Sequence, residues 1–148
     1  MDRDAELFQS LADPTRLRLL NLLMQTDEIC VCEFVDALQV PQYNISRHLR
    51  VLEEAGWLAD RRLGKWIYYR ISDTLKPHQR SVLEAVEHLR DERPDFQKDE
   101  KRAGRRLKLR RGGVCCVGLV TKIGRALTAS PKRDAAEERG QAPASVKE

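Results

Sequence analysis

The sequence EICVCEFVDALQVPQYNISRHLRVL, residues 28–52, carries the pattern that decides the fold. A Cys-Val-Cys pair leads into a short helical run over residues 33–38. Residues 39–41 end that run, and because proline is tolerated at a helix start, a second helix should begin near Gln42. Apolar residues recur in this second helix at i, i+4 and i+7, which predicts one buried stripe. The stripe consists of Ile45, Leu49 and Leu52. Two short helices joined by a three-residue turn predict a helix-turn-helix.

The face of the second helix opposite that stripe is polar. At about 100° per residue, Tyr43, Arg47 and Arg50 point away from the stripe, and Asn44 and Ser46 lie on its flanks. This set of an aromatic ring, guanidinium groups, an amide and a hydroxyl suits base edges and phosphates in a DNA major groove. For this helix alone, a solvated face with ordinary charges is the alternative.

Two short strands are predicted after the second helix. Gly56 ends the helix as its cap, and residues 57–63 and 66–71 are rich in aromatic and β-branched residues. Gly64, between these two runs, can supply the positive φ that a tight turn needs. A helix-turn-helix followed by a hairpin is a winged helix-turn-helix, whose basic tip is placed to contact the sugar-phosphate backbone. The cations of this tip are Arg61, Arg62 and Lys65. A solvated tip is the alternative.

Cys30 and Cys32 flank Val31 just before the first helix of the motif. In an ideal helix, residues two apart lie about 200° apart and cannot share a ligand. If both sulfurs bind one ion, they must do so where the helix begins. A helix N-terminus also favours the thiolate that soft ions require. Two reduced cysteines without a ligand role are the alternative.

Helices are also predicted on both sides of the motif. The first spans residues 3–11, and the second begins with Asp13 as N-cap and Pro14 as first residue. A last helix should run over residues 75–92, capped within residues 72–74. Residues 1–92 are therefore expected to form a mainly α fold with a β-hairpin wing (α+β), in the order ααααββα.

The composition changes at residue 93. Residues 1–92 carry 12 Lys and Arg against 16 Asp and Glu, whereas residues 93–148 carry 15 against 7, so the basic balance of the chain comes from its second part. This part has no aromatic residue after Phe96, which predicts a basic, largely disordered tail. Such a tail can add salt-sensitive attraction to DNA or serve as a solubilising appendage.

The remaining two cysteines are Cys115 and Cys116, within the one apolar stretch of that tail. Neighbouring cysteines rarely pair with each other, because their geometry strains a disulfide. Either can supply a further sulfur to Cys30 and Cys32 along a flexible linker, and the sequence does not distinguish them. Idle thiols are the alternative.

Several segments together resemble the ArsR/SmtB family of metal-responsive repressors, in particular its arsenical-resistance branch. The segments that carry the resemblance are residues 11–17, 28–34, 45–49, 64–66 and 68–70. The resemblance implies a homodimer, with the first and last helices at its interface, that binds operator DNA when metal-free and dissociates when its inducer binds. It also implies that Cys30 and Cys32 are inducer ligands. The residues that it assigns to the DNA-reading helix are Gln42, Tyr43, Asn44, Ser46, Arg47 and His48; for His48, a structural role or a phosphate contact is expected.

One position departs from the pattern of the arsenical branch. Val35 stands where the best-known sensors have a third cysteine, one helical turn after the pair. Arsenite prefers three sulfurs, so As(III) or Sb(III) would require a sulfur from the tail. Four sulfurs, including both tail cysteines, would suit Cd(II), Pb(II) or Zn(II) instead. The family's other site uses Asp and His on the last helix; His78 and His88 are ten residues apart and do not fit it. No permanent cofactor is expected.

Two other functions would each require different features of the chain. A thiol redox switch would use the same cysteines, oxidised to release DNA. An enzyme such as a small arsenate reductase would need a phosphate-cradling loop after a strand, which the sequence lacks, so no enzymatic activity is expected. The chain has no run of about 20 apolar residues and no signal-peptide pattern at its start. With thiols arranged for metal or redox use, these features predict a cytoplasmic protein without membrane contact.

Overall fold

The computed structural model of the chain describes residues 2–115 and residue 118. Its elements, in chain order, are α1 (Arg3–Gln9), α2 (Pro14–Gln25), β1 (Ile29–Cys30), α3 (Val31–Leu38), α4 (Gln42–Glu54), β2 (Leu58–Leu63), β3 (Trp66–Ile71), α5 (Pro77–Glu87), a 3-10 helix (His88–Glu92) and α6 (Pro94–Leu107). The predicted mainly α fold with a hairpin wing is confirmed. None of the described helices combines the length and the apolarity needed to cross a membrane.

Local chemistry explains the start of α2 and the turn between α3 and α4. The carboxylate of Asp13 accepts hydrogen bonds from the backbone N–H groups of Thr15 and Arg16 at 2.8 and 3.1 Å, which caps α2 as predicted. Between α3 and α4, Gln39 adopts a left-handed conformation with φ of 59° and allows the chain to turn. The predicted stripe of α4 is confirmed, since Ile45, Leu49 and Leu52 are all fully buried.

The wing is a hairpin of β2 and β3, in which Leu63 pairs with Trp66 around Gly64. Gly64 has a φ of 62°, as the tight turn requires. The sequence pattern did not predict β1, a two-residue strand that adds to β3 with Ile29 opposite Tyr69 and Cys30 opposite Tyr68. The strand order β1-β3-β2 therefore joins the first cysteine of the pair directly to the wing.

The region after the wing differs from prediction in two respects. The helix predicted over residues 75–92 is α-helical only over Pro77–Glu87, continues as 3-10 turns, and has Lys76 as its N-cap instead of a residue within 72–74. The expectation of disorder from residue 93 is wrong for Pro94–Leu107, which forms α6 and packs against α2 and α3.

The face that α6 buries explains why its sequence did not predict this helix. Phe96, Asp99, Ala103 and Arg106 are the buried residues, at i, i+3, i+7 and i+10. Half of this stripe is charged, so a search for apolar periodicity alone does not find it. The remainder of the predicted tail, residues 116, 117 and 119–148, lies outside the described residues.

Candidate metal centre and DNA-binding surface

Three cysteine thiols lie together at the start of α3. The Sγ atoms of Cys30 and Cys32 are 3.2 Å apart, and that of Cys115 is 3.4 Å from Cys32. All three sulfurs lie within 4.8 Å of one another, and each residue is at least nine-tenths buried. Within the part of the chain that the structure describes, this is the one group of three or more His, Cys, Asp or Glu side chains spaced to hold an ion.

The Cys-Val-Cys pair can converge because the backbone changes conformation within it. Cys30 is extended, with φ of −81° and ψ of 153°, ends β1 and serves as the N-cap of α3. Cys32 lies in the first turn of the helix. The separation of about 200° between helical residues two apart therefore does not apply to this pair. The two sulfurs can therefore share one ligand at the start of the helix, which is where the sequence requires such a site to lie.

The end of the described chain brings Cys115 to the pair. After α6, an isolated bridge between Arg111 and Val114 turns the chain back. The backbone N–H of Cys115 then donates a 2.7 Å hydrogen bond to the hydroxyl oxygen of Tyr68, the β3 residue that pairs with Cys30. The third sulfur is thus positioned by the wing sheet. Cys116, the other predicted ligand, lies outside the described residues.

A buried guanidinium covers the thiol cluster. The Nη2 of Arg106 lies 3.5 Å from the sulfur of Cys32 and 3.6 Å from that of Cys115, and it donates to the backbone carbonyl of Gly118 at 2.9 Å. Its Nε donates to the Asp36 carboxylate at 2.8 Å, and both side chains are almost completely buried. Arg106 therefore connects α6, α3 and the segment that carries Cys115.

A second arginine fastens the same segment to the beginning of α3. Arg110 donates two hydrogen bonds of 2.8 Å to the Glu33 carboxylate and one of 2.6 Å to the backbone carbonyl of Glu28. The Glu33 carboxylate also accepts the backbone N–H of Cys30 at 2.9 Å. One buried carboxylate thus both caps the helix start that bears the cysteines and holds the segment that supplies the third sulfur.

The environment of the cluster favours protonated thiols. The neighbouring Cys115 thiol and burial raise the pKa of Cys30 to about 12, although its contact with Cys32 acts in the opposite direction. The pKa of Cys32 is also raised, by its hydrogen bonds to Cys115 and Cys30 and by burial. A soft ion that binds here must displace protons from sulfur.

The predicted DNA-reading residues of α4 divide into exposed and buried ones. Tyr43 is 67% exposed, and Arg47 and Arg50 are exposed beside it. Partly exposed positions complete this face, namely Gln42, Asn44 and Ser46. The outward face expected from helical periodicity is therefore present.

His48 lies on the other side of α4, with only 6% of its surface exposed. It follows Ile45 by three residues and so falls on the buried stripe. Burial lowers its pKa, and its Nδ1 is 3.0 Å from Arg16 Nη1. Because arginine only donates, the neutral imidazole accepts this bond. Of the two roles expected for His48, this buried position favours the structural one.

The three predicted wing cations are all exposed, but they have different partners. Arg61 donates to both carboxylate oxygens of Glu28 at 2.6 and 2.7 Å and lies 5.0 Å above the Tyr68 ring. Lys65 lies 5.0 Å from the ring of Trp66. Glu28 therefore contacts the wing through its side chain and the Arg110 segment through its backbone.

Sequence reasoning missed the polar residues that surround the thiols. Arg106, Arg110 and Tyr68 were not singled out, and Glu33 was read only as the start of a helix. The one available signal was the continuation of 3.6-residue periodicity through Asp99 and Arg106.

Comparison with known proteins agrees with this architecture. Residues 13–58 match the family described as bacterial regulatory protein, arsR family. The chain is 45% identical over 80 residues to an arsenic resistance transcriptional regulator of Pseudomonas putida, a match covering 54% of this chain and 62% of the relative. It is 43% identical over 89 residues to an uncharacterized HTH-type transcriptional regulator of Methanocaldococcus jannaschii, covering 60% of this chain and 96% of the relative.

A solved structure is also similar. The homodimeric winged helix-turn-helix DNA-binding domain of a possible ArsR-family regulator from Mycobacterium bovis superposes with a TM-score of 0.52 at 29% identity, covering 63% of this chain and 82% of that domain. The chain belongs to the ArsR family of bacterial regulatory proteins. Family and fold are those of DNA-binding transcriptional regulators and not those of an enzyme. The chain spans less than two thirds of the length of the Pseudomonas putida regulator.

Proposed function

We propose that this protein is a metalloid-responsive transcriptional repressor, which binds operator DNA when free of inducer and dissociates when As(III) or Sb(III) binds Cys30, Cys32 and Cys115. The observation that carries the proposal is the convergence of three buried sulfurs within 4.8 Å at the first turn of the helix-turn-helix. The similarity to an arsenic resistance regulator supports the choice of ligand.

Three sulfurs fit the chemistry of a trivalent metalloid. Arsenous acid exchanges its three hydroxyl groups for three thiols, and the three thiol protons leave as water. The complex is neutral, which suits a site buried in protein. A divalent ion on the same three sulfurs would leave one negative charge and release three protons to solvent. The protonated state of these thiols therefore favours the metalloid over a divalent ion.

The operator-bound form is proposed to be a homodimer, as in the similar Mycobacterium bovis domain. Two α4 helices would enter successive major grooves of a two-fold operator, with Gln42, Tyr43, Asn44, Ser46, Arg47 and Arg50 toward the bases and phosphates. The wing cations Arg61, Arg62 and Lys65 would contact the backbone. The reduced thiols that such a sensor needs are maintained in the cytoplasm, which is the location we propose.

Release of DNA would follow from the position of the cysteines. Cys30 belongs both to the sheet of the wing and to the cap of α3, and α3 packs against α4. An inducer bound to the three sulfurs would impose its own sulfur separations in place of the present 3.2 and 3.4 Å, and so would shift the start of α3 relative to β3. Both DNA-contacting elements are therefore coupled to the ligand. A coupling of about 3 kcal/mol would lower DNA affinity by roughly two orders of magnitude.

The test is the fluorescence anisotropy of a labelled duplex from the protein's own upstream region, titrated with arsenite under reducing conditions. Wild type should release the duplex at low arsenite concentration. Cys30→Ser, Cys32→Ser and Cys115→Ser should each bind DNA but fail to release it. Cys116→Ser is the matched control, since it removes a neighbouring thiol, and it should respond as wild type does. Undiminished release from the Cys115→Ser protein would refute the three-sulfur site.

The two alternative inducers give different outcomes in the same assay. Loss of response in both Cys115→Ser and Cys116→Ser, with release by Cd(II), Pb(II) or Zn(II) but not arsenite, would indicate a four-thiolate divalent site. The sulfur separations of 3.2 and 3.4 Å also suit a thiol redox switch, in which peroxide oxidises two thiols to one disulfide and yields two waters. Release by peroxide and not by any of these ions would select that function.

A further inference from the structure

The outward face of α6 is a stripe of positive charge, and it faces directly away from the core. Its members are Lys98, Lys101, Arg105 and Lys108, at i, i+3, i+7 and i+10, and all four are exposed. At about 100° per residue they fall within an arc of roughly 80°, opposite the buried stripe that begins at Phe96. We refer to these four residues as the α6 stripe.

Every acidic residue of α6 is already paired with a cation outside the stripe. Asp95 binds Arg93, the buried Asp99 binds Arg18 and Arg102, and Glu100 binds Arg90. Among the described residues, none of the four stripe cations has an acidic partner within salt-bridge distance. A solvated helix face usually mixes both signs of charge, whereas this face carries one sign without compensation.

The C-terminal end of the stripe lies on the wing side of the molecule. Arg110, two residues beyond Lys108, binds the backbone carbonyl of Glu28 at 2.6 Å. The side chain of Glu28 binds Arg61 of the wing, also at 2.6 Å. Arg110 and Glu28 therefore connect the segment that follows the stripe to Arg61 of the wing.

We propose that the α6 stripe is a second DNA-contact surface, which binds the sugar-phosphate backbone of the duplex whose bases α4 reads. The inference rests on the DNA-binding function proposed above. The stripe is roughly 15 Å long at 1.5 Å per residue, comparable with the axial extent of about four phosphates on one strand at 3.4 Å each. Lysine and arginine contacts to phosphate add affinity without sequence preference.

α6 also connects the thiol cluster to this second surface. Arg106, on the opposite side of the same helix, contacts the sulfurs of Cys32 and Cys115. An inducer that rearranges these sulfurs also acts on the helix that carries the stripe. Release would then withdraw the wing, α4 and α6 together.

The test measures DNA affinity of the full-length protein over a range of salt concentrations. The variant is Lys98→Gln/Lys101→Gln/Arg105→Gln/Lys108→Gln. The negative slope of log K against log salt should become shallower by about 0.9 for each phosphate that is no longer neutralised, or by about 3–4 per protomer. The decrease in affinity should be equal on operator and on unrelated DNA, so that the ratio of the two affinities is unchanged. Its thermal midpoint should match wild type, since all four side chains are exposed.

Two controls distinguish a DNA contact by this surface from a general effect of net charge. The exchange Lys101→Arg/Arg105→Lys keeps both charges and should retain the wild-type slope. The double variant Arg3→Gln/Lys76→Gln removes two exposed cations elsewhere and should leave the slope nearly unchanged, unlike Lys101→Gln/Arg105→Gln. A quadruple variant with the wild-type slope would overturn the inference. Failure of wild type to bind operator at all would instead refute the proposed function.

Discussion

α4 and α6 are both amphipathic helices with one buried face, but different forces attach them to the core. α4 buries an apolar stripe in which Ile45, Leu49 and Leu52 are fully enclosed. α6 buries two charged residues among four, and its place depends on the ion pairs of Asp99 and Arg106. Apolar packing is non-directional and tolerates sliding, whereas a buried ion pair has one geometry. α4 is therefore held by apolar packing along its buried face, while α6 depends on a few specific contacts.

The largest change in unfolding free energy is expected from a substitution in the buried apolar stripe of α4. Leu49→Ala leaves a cavity in a fully buried site and should cost about 2–5 kcal/mol of unfolding free energy. DNA binding and inducer response should be abolished together, since the whole fold is affected. Chemical denaturation measures the change, and Arg50→Ala, which alters the adjacent exposed position, should stay within about 0.5 kcal/mol of wild type. Equal destabilisation by both variants would contradict the assignment of the faces.

A smaller and more local loss of stability is expected from a substitution in the partly charged buried face of α6. Asp99→Asn keeps the size of the side chain but removes the charge that pairs with Arg18 and Arg102, and should cost about 1–3 kcal/mol. Amide hydrogen exchange should accelerate in Pro94–Leu107 and remain slow in Gln42–Glu54. The matched control Asp95→Asn breaks a half-buried pair with Arg93 and should cost less than about 1 kcal/mol. Uniform acceleration across both helices would show that they unfold as one unit.

The thiol cluster, which α6 helps to close, should respond to pH in a way that depends on the ion. The neighbouring Cys115 thiol and burial raise the pKa values of Cys30 and Cys32, which favours the protonated form of these two thiols at neutral pH. Cd(II) must release those protons to solvent, so its apparent affinity should rise with pH by up to about tenfold per unit for each proton released. Arsenous acid carries the protons away as water, so arsenite-induced release should stay nearly constant between about pH 6.5 and 7.5. Parallel pH profiles for the two ions would contradict the three-thiol exchange.

The smallest effect concerns Glu28, the residue shared by the wing and the Arg110 segment. Its carboxylate binds Arg61 with both oxygens, and so would compete with the DNA phosphates that we propose Arg61 contacts. Glu28→Gln should therefore strengthen DNA binding a few-fold, measured by anisotropy at fixed salt. Asp27→Asn removes the same charge from the exposed neighbouring position and serves as control. Equal strengthening by both variants would mean that net charge alone is responsible.

These features differ in how far they could be predicted. The stripe of α4, the hairpin turn at Gly64 and the cap of α2 at Asp13 all follow from spacings within a few residues, and all three were predicted. The strand β1 was not, because two residues carry no periodicity of their own and pair only when β3 is present. α6 was missed because half of its buried face is charged, and such a face can be buried only when cations of α2 and anions of α3 stand opposite.

The sequence by itself determined the winged helix-turn-helix and the position of Cys30 and Cys32 at a helix start. Both depend on local propensity, periodicity and capping, which act between residues close in the chain. Only the tertiary structure brought the sulfur of Cys115, 83 residues after Cys32, next to the pair, and turned His48 inward to accept a hydrogen bond from Arg16. The physical reason is that these contacts join segments that are distant in the chain. The position of Cys115 depends on the ion pairs that Asp36, Asp99 and Glu33 form with arginines of other segments.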